Sequence, residues 1–215
     1  MRYIIDDLRQ AWKYRDSPRP QKTVCSELYH EQRFAGVPGY ASDLRLHRAV
    51  SQQVPPGGRI LEFGVATGRS IRHWAGLFPG HDIWGFDGFE GIYEDWNGMK
   101  AGHFARPGKQ PPRVPGNVNL VIGRFDQTLP AWCQTHVGPV GLLHIDCDLY
   151  SATCDVFQNL RDRIVSGTII VFDEYWNYPG WQQHEFRAWQ EQARPYRYVG
   201  YVSGGNYQPV AVQVL

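Results

Sequence analysis

Between Arg59 and Asp173 the chain repeats one pattern: a short apolar run, a turn, then a helical stretch. The runs at 59–63, 82–87, 118–123, 140–146 and 168–173 read as strands, and 68–77, 126–135, 151–164 and 181–192 as helices. Such strands need cover on both faces and crossovers between them. The expected class is therefore α/β, a mostly parallel, Rossmann-like sheet with helices on both sides. The tail, RYVGYVSGGNYQPVAVQVL, adds two strands joined by a glycine turn, which predicts an antiparallel hairpin. PPGG at 55–58 separates this body from an N-terminal region. That region reads as an amphipathic helix over 2–14, with Ile4, Ile5, Leu8 and Trp12 on one side. An irregular proline-containing stretch then runs to about Gly39, and a helix from Ser42 toward Val50. Residues 96–117 hold four prolines and four glycines and predict a long irregular loop. Together with 15–40, this loop is expected to act as a cover over a binding site.

A length of 215 residues supports one domain, or one domain and an arm. The net charge of +1, without a basic block, gives no footprint for nucleic acid or an anionic membrane. The N-terminus carries no signal-peptide h-region, and no apolar run is long enough for a membrane span. The four cysteines, Cys25, Cys133, Cys147 and Cys154, form no CxxC pair. A reduced cytoplasmic chain is expected.

Two strand ends carry the chemistry. LLHIDCDLYS delivers Asp146 and Asp148, and IIVFDEYW delivers Asp173 and Glu174. Four carboxylates brought to strand ends are costly to bury without a counter-charge, and a hard divalent cation with oxygen ligands supplies one. If strand geometry persists past Asp146, residues 146 and 148 share a side, one for metal and one for substrate. Upstream, RILEFGVATGRS runs a strand into a turn containing Gly64, Ala66 and Gly68, with a helix opening near Arg69 or Ser70. Small residues let a ligand approach the backbone, and the helix N-terminus presents free N–H groups. The spacing GxAxG departs from the dinucleotide fingerprint GxGxxG. Asp87 ends the next strand, where a carboxylate can accept two ribose hydroxyls. Phe89, Arg124 and Phe125 are placed either to flank a purine or to pack. His144 reads as a core histidine with a satisfied hydrogen bond. His184 and Glu185 read as a helix face, either solvated or supporting the site. Tyr150, Tyr175, Trp176 and Trp181 are candidates to face a sugar ring, with core packing the alternative.

LEFGVATGRS, GFDGFEGI and LLHIDCDLYSAT with GTIIVFDEYW together resemble the macrocin O-methyltransferase family of class I S-adenosylmethionine-dependent enzymes. The resemblance covers about residues 58–192. It implies a seven-stranded sheet with the last strand antiparallel, and transfer of methyl to a hydroxyl, usually on a sugar, with Mg2+ or possibly Mn2+. It further implies metal ligation by Asp146, Asp173 and Glu174, with Asp148 as general base. Relatives often carry two aspartates where this chain has Asp173 and Glu174, a change that keeps charge and oxygen ligation. The cofactor-binding set expected on the same basis is Glu62, Gly64, Thr67, Gly68, Ser70, Asp87, Gly88, Phe89 and Phe125. The expected division is an arm or lid over 1–57 and an S-adenosylmethionine-binding domain over 58–215. The expected partners are a small sugar acceptor and a second copy of the chain. A metal-dependent glycosyltransferase using Asp146 and Asp148 as a DxD pair is the competing reading, alongside methylation of a non-sugar hydroxyl. The glycine turn and the Asp173-Glu174 pair weigh against a glycosyltransferase.

Overall fold

The computed structural model describes residues 24–204 and 208–215. The helix expected over 2–14 and the turn residues 205–207 lie outside it. The first described element is a helix, α1 (Val24–Arg33), inside the stretch expected to be irregular. A two-residue strand, β1 (Gly39–Tyr40), and α2 (Asp43–Ser51) follow, with Ser42 Oγ accepting from the Arg45 N–H as an N-cap.

The alternating body comes next: β2 (Arg59–Phe63), α3 (Arg69–Leu77), β3 (Ile83–Asp87), β4 (Val118–Ile122), α4 (Phe125–Thr135), β5 (Val140–Ile145), α5 (Tyr150–Leu160) and β6 (Ile164–Trp176). The helix expected over 181–192 is divided into a 3-10 turn, Trp181–Gln183, and a short α6 (Glu185–Gln190). β7 (Tyr196–Val202) and β8 (Gln208–Val214) form the expected antiparallel pair. β6 is longer than its apolar run because β8 pairs alongside it as far as Trp176.

The strands form one sheet in the order β1-β7-β8-β6-β5-β2-β3-β4. It has eight strands where seven were expected. The extra one is β1, which adds parallel to the edge of β7. β8 runs antiparallel to both its neighbours. The chain steps outward from β2 to β3 and β4, then returns to place β5 on the other side of β2. That reversal opens a crevice at the carboxyl ends of β2 and β5, where open α/β sheets take their ligands.

Each strand alternates between two cores. Leu61, Phe63, Leu143, Ile145, Ile170 and Phe172 face α4, α5, α6 and α1, whereas Ile60, Leu142, Ile169 and Val171 face α2 and α3. Trp74 and Ile71 of α3 and Leu46 and Val50 of α2 are fully buried in the second core. At about 1.5–3 kcal/mol for each large apolar side chain buried, these layers supply the bulk of the stabilisation. Among the described residues, no helix is long and apolar enough to cross a membrane.

Candidate active site

The glycine turn follows β2 at the crevice. Gly64 has φ +93°, and a Cβ built there would lie 1.6 Å from the Asp146 carbonyl oxygen. Only glycine lets β2 and the end of β5 pass this closely, and Asp146 N–H donates to the Phe63 carbonyl at 2.8 Å beside it. Ala66 holds φ +43°, and Gly68, at φ +78°, precedes α3 without a side-chain cap. A helix start without a side-chain cap is the kind of end that can offer N–H groups to a ligand. Pro112 of the long loop lies against Gly68, and Arg72 donates to the carbonyls of Thr67 and Arg113. Within 96–117 the only regular pieces are a 3-10 turn at Pro107–Lys109 and a bridge between Trp96 and Met99. Pro112 and Arg113 bring this loop against the turn and the start of α3.

Asp87 is placed at the turn, but its carboxylate already accepts three backbone N–H groups. Oδ2 takes Val65 at 2.8 Å and Ala66 at 2.7 Å, and Oδ1 takes Phe89 at 2.6 Å. It braces the turn and retains a lone pair on Oδ1, so one hydroxyl, not two, has an obvious acceptor there. A Cβ at Gly88 would meet Glu90 and Gly123 only at ordinary contact distance, 3.9 Å. The Phe89 ring is packed in the core, 1% exposed, with its backbone at φ +56°. Phe125 opens α4 half-buried, its ring edge-on to Phe63 at 5.2 Å. Arg124 instead stacks on Tyr93 at 3.9 Å and pairs with Asp126. Glu62 lies beneath the turn, fully buried, accepting from Ser70 Oγ at 3.1 Å and held 2.9 Å from His144 Nδ1.

β5 ends at Ile145, so strand geometry does not persist through 146–148 as expected. Asp148 turns left-handed at φ +61°, an uncommon conformation for a residue other than glycine. Its carboxyl is 9% exposed and raised to about 7, first by burial and then by the charges of Asp173 and Asp87. Oxygens of Asp146, Asp173 and Glu174 lie within 4.8 Å of one another. Burial and mutual repulsion push Asp146 and Glu174 well above the usual carboxylate range, and burial raises Asp173 as well. Glu174 Oε2 is buried without a hydrogen-bond partner. Oxygen donors that repel one another, one of them orphaned, fit a hard divalent cation.

Sequence reasoning left one residue of this cluster open. Glu185, read there as a helix face either solvated or supporting the site, is fully buried, and its Oε2 accepts the Glu174 N–H at 3.2 Å. Its carboxyl is driven well above the usual range, by burial first and then by Asp148 and Asp173. HEF after a proline-glycine turn gave no sign of this, because the partner is the far end of β6. His184 sits half-buried at the N-cap of α6, near Trp96 and Tyr178. His144 is buried with only one nitrogen bonded. Burial opposes its protonation, but the hydrogen bond and charge of Glu62, with Asp173 beyond, outweigh it and raise its pKa. Cys147 is a small buried residue beside Thr153. Tyr175 and Trp181 are core residues, and the Tyr150 hydroxyl donates to Glu191 at 2.6 Å. Trp176 is also buried, yet with His30, Glu27, Tyr201 and Ser203 it lines a 430 Å³ cavity at the same end of the sheet.

The strand order, the final antiparallel strand and the glycine turn at the reversal define a Rossmann-like methyltransferase fold. A family model described as a methyltransferase domain matches residues 61–175, more than half of the 215-residue chain, and the chain belongs to that family. It is similar to the 8-demethyl-8-(2,3-dimethoxy-alpha-L-rhamnosyl)-tetracenomycin-C 4'-O-methyltransferase of Streptomyces olivaceus. Identity is 26% over 145 residues, 55% of this chain and 53% of that protein. The chain spans about half the length of that curated relative. In three dimensions it is similar to the calicheamicin methyltransferase CalS11, at 25% identity and a TM-score of 0.61 over 79% of this chain and 76% of the other. An apo structure of CalS11, described as a TDP-rhamnose 3'-O-methyltransferase, gives 26% identity and a TM-score of 0.55 over 80% and 78%. The O-methyltransferase NovP, at 21% identity and a TM-score of 0.55 over 79% and 78%, shares the fold. These relatives agree with the resemblance carried by the motifs, and the family sets aside the glycosyltransferase reading of Asp146 and Asp148.

Proposed function

We propose that the chain transfers the methyl group of S-adenosylmethionine to a hydroxyl of a sugar or small glycoside, with a divalent cation at Asp146, Asp173 and Glu174. The observation that carries this is the convergence of those three carboxylates beside the glycine turn, at the crevice where β2 and β5 part. The sugar O-methyltransferases among the relatives support a sugar as acceptor.

The sulfonium donor supplies an electrophilic methyl group, and the cation, held by three carboxylates, favours the ionised acceptor oxygen. The chain's own part is to hold and to deprotonate. The N–H groups at the start of α3 and the turn braced by Asp87 hold the donor's polar end. Asp148, turned out of the strand line by its left-handed backbone, takes the hydroxyl proton. Transfer would form the C–O bond as the C–S bond breaks, the sulfur leaving uncharged, and Asp148 would keep the hydroxyl proton. The leaving group needs no acid, and catalysis reduces to positioning and electrostatics. The cavity lined by Trp176 and Tyr201 is the seat for the acceptor, and the loop at 96–117 excludes water from above.

Mass-spectrometric turnover with S-adenosylmethionine against a panel of nucleotide sugars and glycosides tests the reading. Methylated product that disappears in excess EDTA and returns with Mg2+ is expected. Full activity after prolonged dialysis against EDTA would remove the metal, and no S-adenosylhomocysteine binding in a thermal-shift assay would remove the whole reading. Asp148→Asn is expected to keep cofactor and cation binding while turnover falls by about 100- to 10,000-fold. Near-normal turnover would reassign the base.

A further inference from the structure

On the sheet face covered by α2 and α3, a second set of donors converges. Glu62 and His144 are register partners on β2 and β5, His144 is level with Val171 on β6, and Asp173 lies two residues further along. All three therefore point to the same side. From α2, the His47 ring stacks on Trp74 at 4.2 Å and meets the His144 ring edge-on at 4.9 Å. His47 is wholly buried, yet neither ring nitrogen has a hydrogen-bond partner among the described residues. Buried polar groups are ordinarily bonded, so an imidazole bare at both nitrogens asks for a ligand. His144 Nε2 is bare as well, 4.0 Å from Asp173 Oδ1. That gap is too long for a hydrogen bond but is spanned by two metal–ligand bonds of about 2.1 Å. One donor atom each from His47, His144 and Asp173 lies within 4.8 Å of the other two.

We propose that His47, His144 and Asp173 form a second cation site, for a borderline divalent transition metal such as Zn2+ or Co2+, linked through Asp173 to the all-oxygen site. Two imidazoles and one carboxylate prefer such ions, whereas Mg2+ prefers oxygen alone. Glu62 is placed as the outer support these sites use. Its Oε2, 2.9 Å from His144 Nδ1, keeps the proton on that nitrogen and turns the Nε2 lone pair toward the ion. The Trp74 indole N–H also points at Nδ1, at 3.3 Å, but the shorter, charge-assisted contact with the carboxylate decides the tautomer. The local charge suits a dication. Asp173 and Asp43 share one guanidinium, that of Arg69, which is engaged by Asp43, and Glu62 adds a further carboxyl beside His144.

The test reads binding, not methyl transfer, so it stands or falls apart from the proposed activity. Metal-free wild-type protein is titrated with Zn2+ while imidazole 1H–15N correlations are recorded. The His47 and His144 ring nitrogens are expected to shift with the first equivalents. Both unmoved at saturating Zn2+ would overturn the site and leave a buried water as the occupant. In parallel, Asp146→Asn/Glu174→Gln, which cripples the all-oxygen site, is dialysed against Co2+. One retained equivalent with visible d–d absorption is expected, and its loss on adding His47→Gln. Retention in the triple variant would overturn the proposal. If His47→Gln does not fold, by circular dichroism, the titration of the unmutated chain decides alone.

Discussion

At the scale of single residues, Asp87 shows how one side chain takes two duties. Three backbone N–H groups converge on it, so it builds the turn before it can touch a ligand. Asp87→Ala is expected to lower stability by about 3 kcal/mol, because buried donors are left without a charged acceptor, and to weaken S-adenosylhomocysteine binding as the turn relaxes. Denaturant unfolding and calorimetry measure the two effects. Weakened binding at wild-type stability would return Asp87 to a purely ligand-facing role. The sequence marked the position, because an acid after a short apolar run beside a glycine turn is a legible pattern. The three N–H bonds were not legible, since they depend on the path of the backbone at Val65, Ala66 and Phe89. The left-handed turn at Asp148 was hidden for the same reason. Alternation predicts sides only while a strand lasts, and β5 stops at Ile145.

At the scale of elements, the strands of the parallel body were readable because their apolar runs are short and bounded. α1 was missed because its charged and polar residues conceal the side that packs, Tyr29 against Trp181, with Phe34 just past its end against Trp176 and Tyr201. Glu185 was left open between solvent and a supporting role because what decides it is α6 docking on the end of β6. Burial first, then the charges of Asp148 and Asp173, drives its carboxyl well above the usual range, and the matching amide keeps its shape and its oxygen acceptor without the charge. Glu185→Gln is expected to fold with wild-type stability to within about 1 kcal/mol, whereas Glu185→Ala, which strands the Glu174 N–H, should lose about 1–3 kcal/mol. Equal losses in both variants, by urea unfolding, would show that the carboxyl is ionised. The histidine pair was the least legible feature, because His47 and His144 meet only when α2 packs onto the sheet.

At the scale of the whole molecule, the acid cluster makes stability depend on pH and on metal together. Asp146, Asp148, Asp173, Glu174 and Glu185 all have raised values in the folded chain. Between the ordinary aspartate value of 3.8 and the value of about 7 reached by Asp148, these five carboxyls hold more protons in the folded chain than in the unfolded one. Their contribution to stability is therefore fully present below that window and falls as pH rises through it. The metal-free protein is expected to melt at progressively lower temperature across the window, and excess Mg2+ should flatten or reverse the slope. A metal-free melting temperature that climbs with pH would contradict the cluster's electrostatics. The contact between Gly64 and the Asp146 carbonyl has its own outcome at this scale. It joins the glycine turn to the acid cluster by a backbone-to-backbone touch. In the proposed reaction, the distance the methyl must travel is then a property of the main chain. Under that proposal, substitutions in the loop over 96–117 or around Trp176 would exchange one acceptor for another without changing that distance, and the scaffold would diversify its substrates while its chemistry stays in gauge.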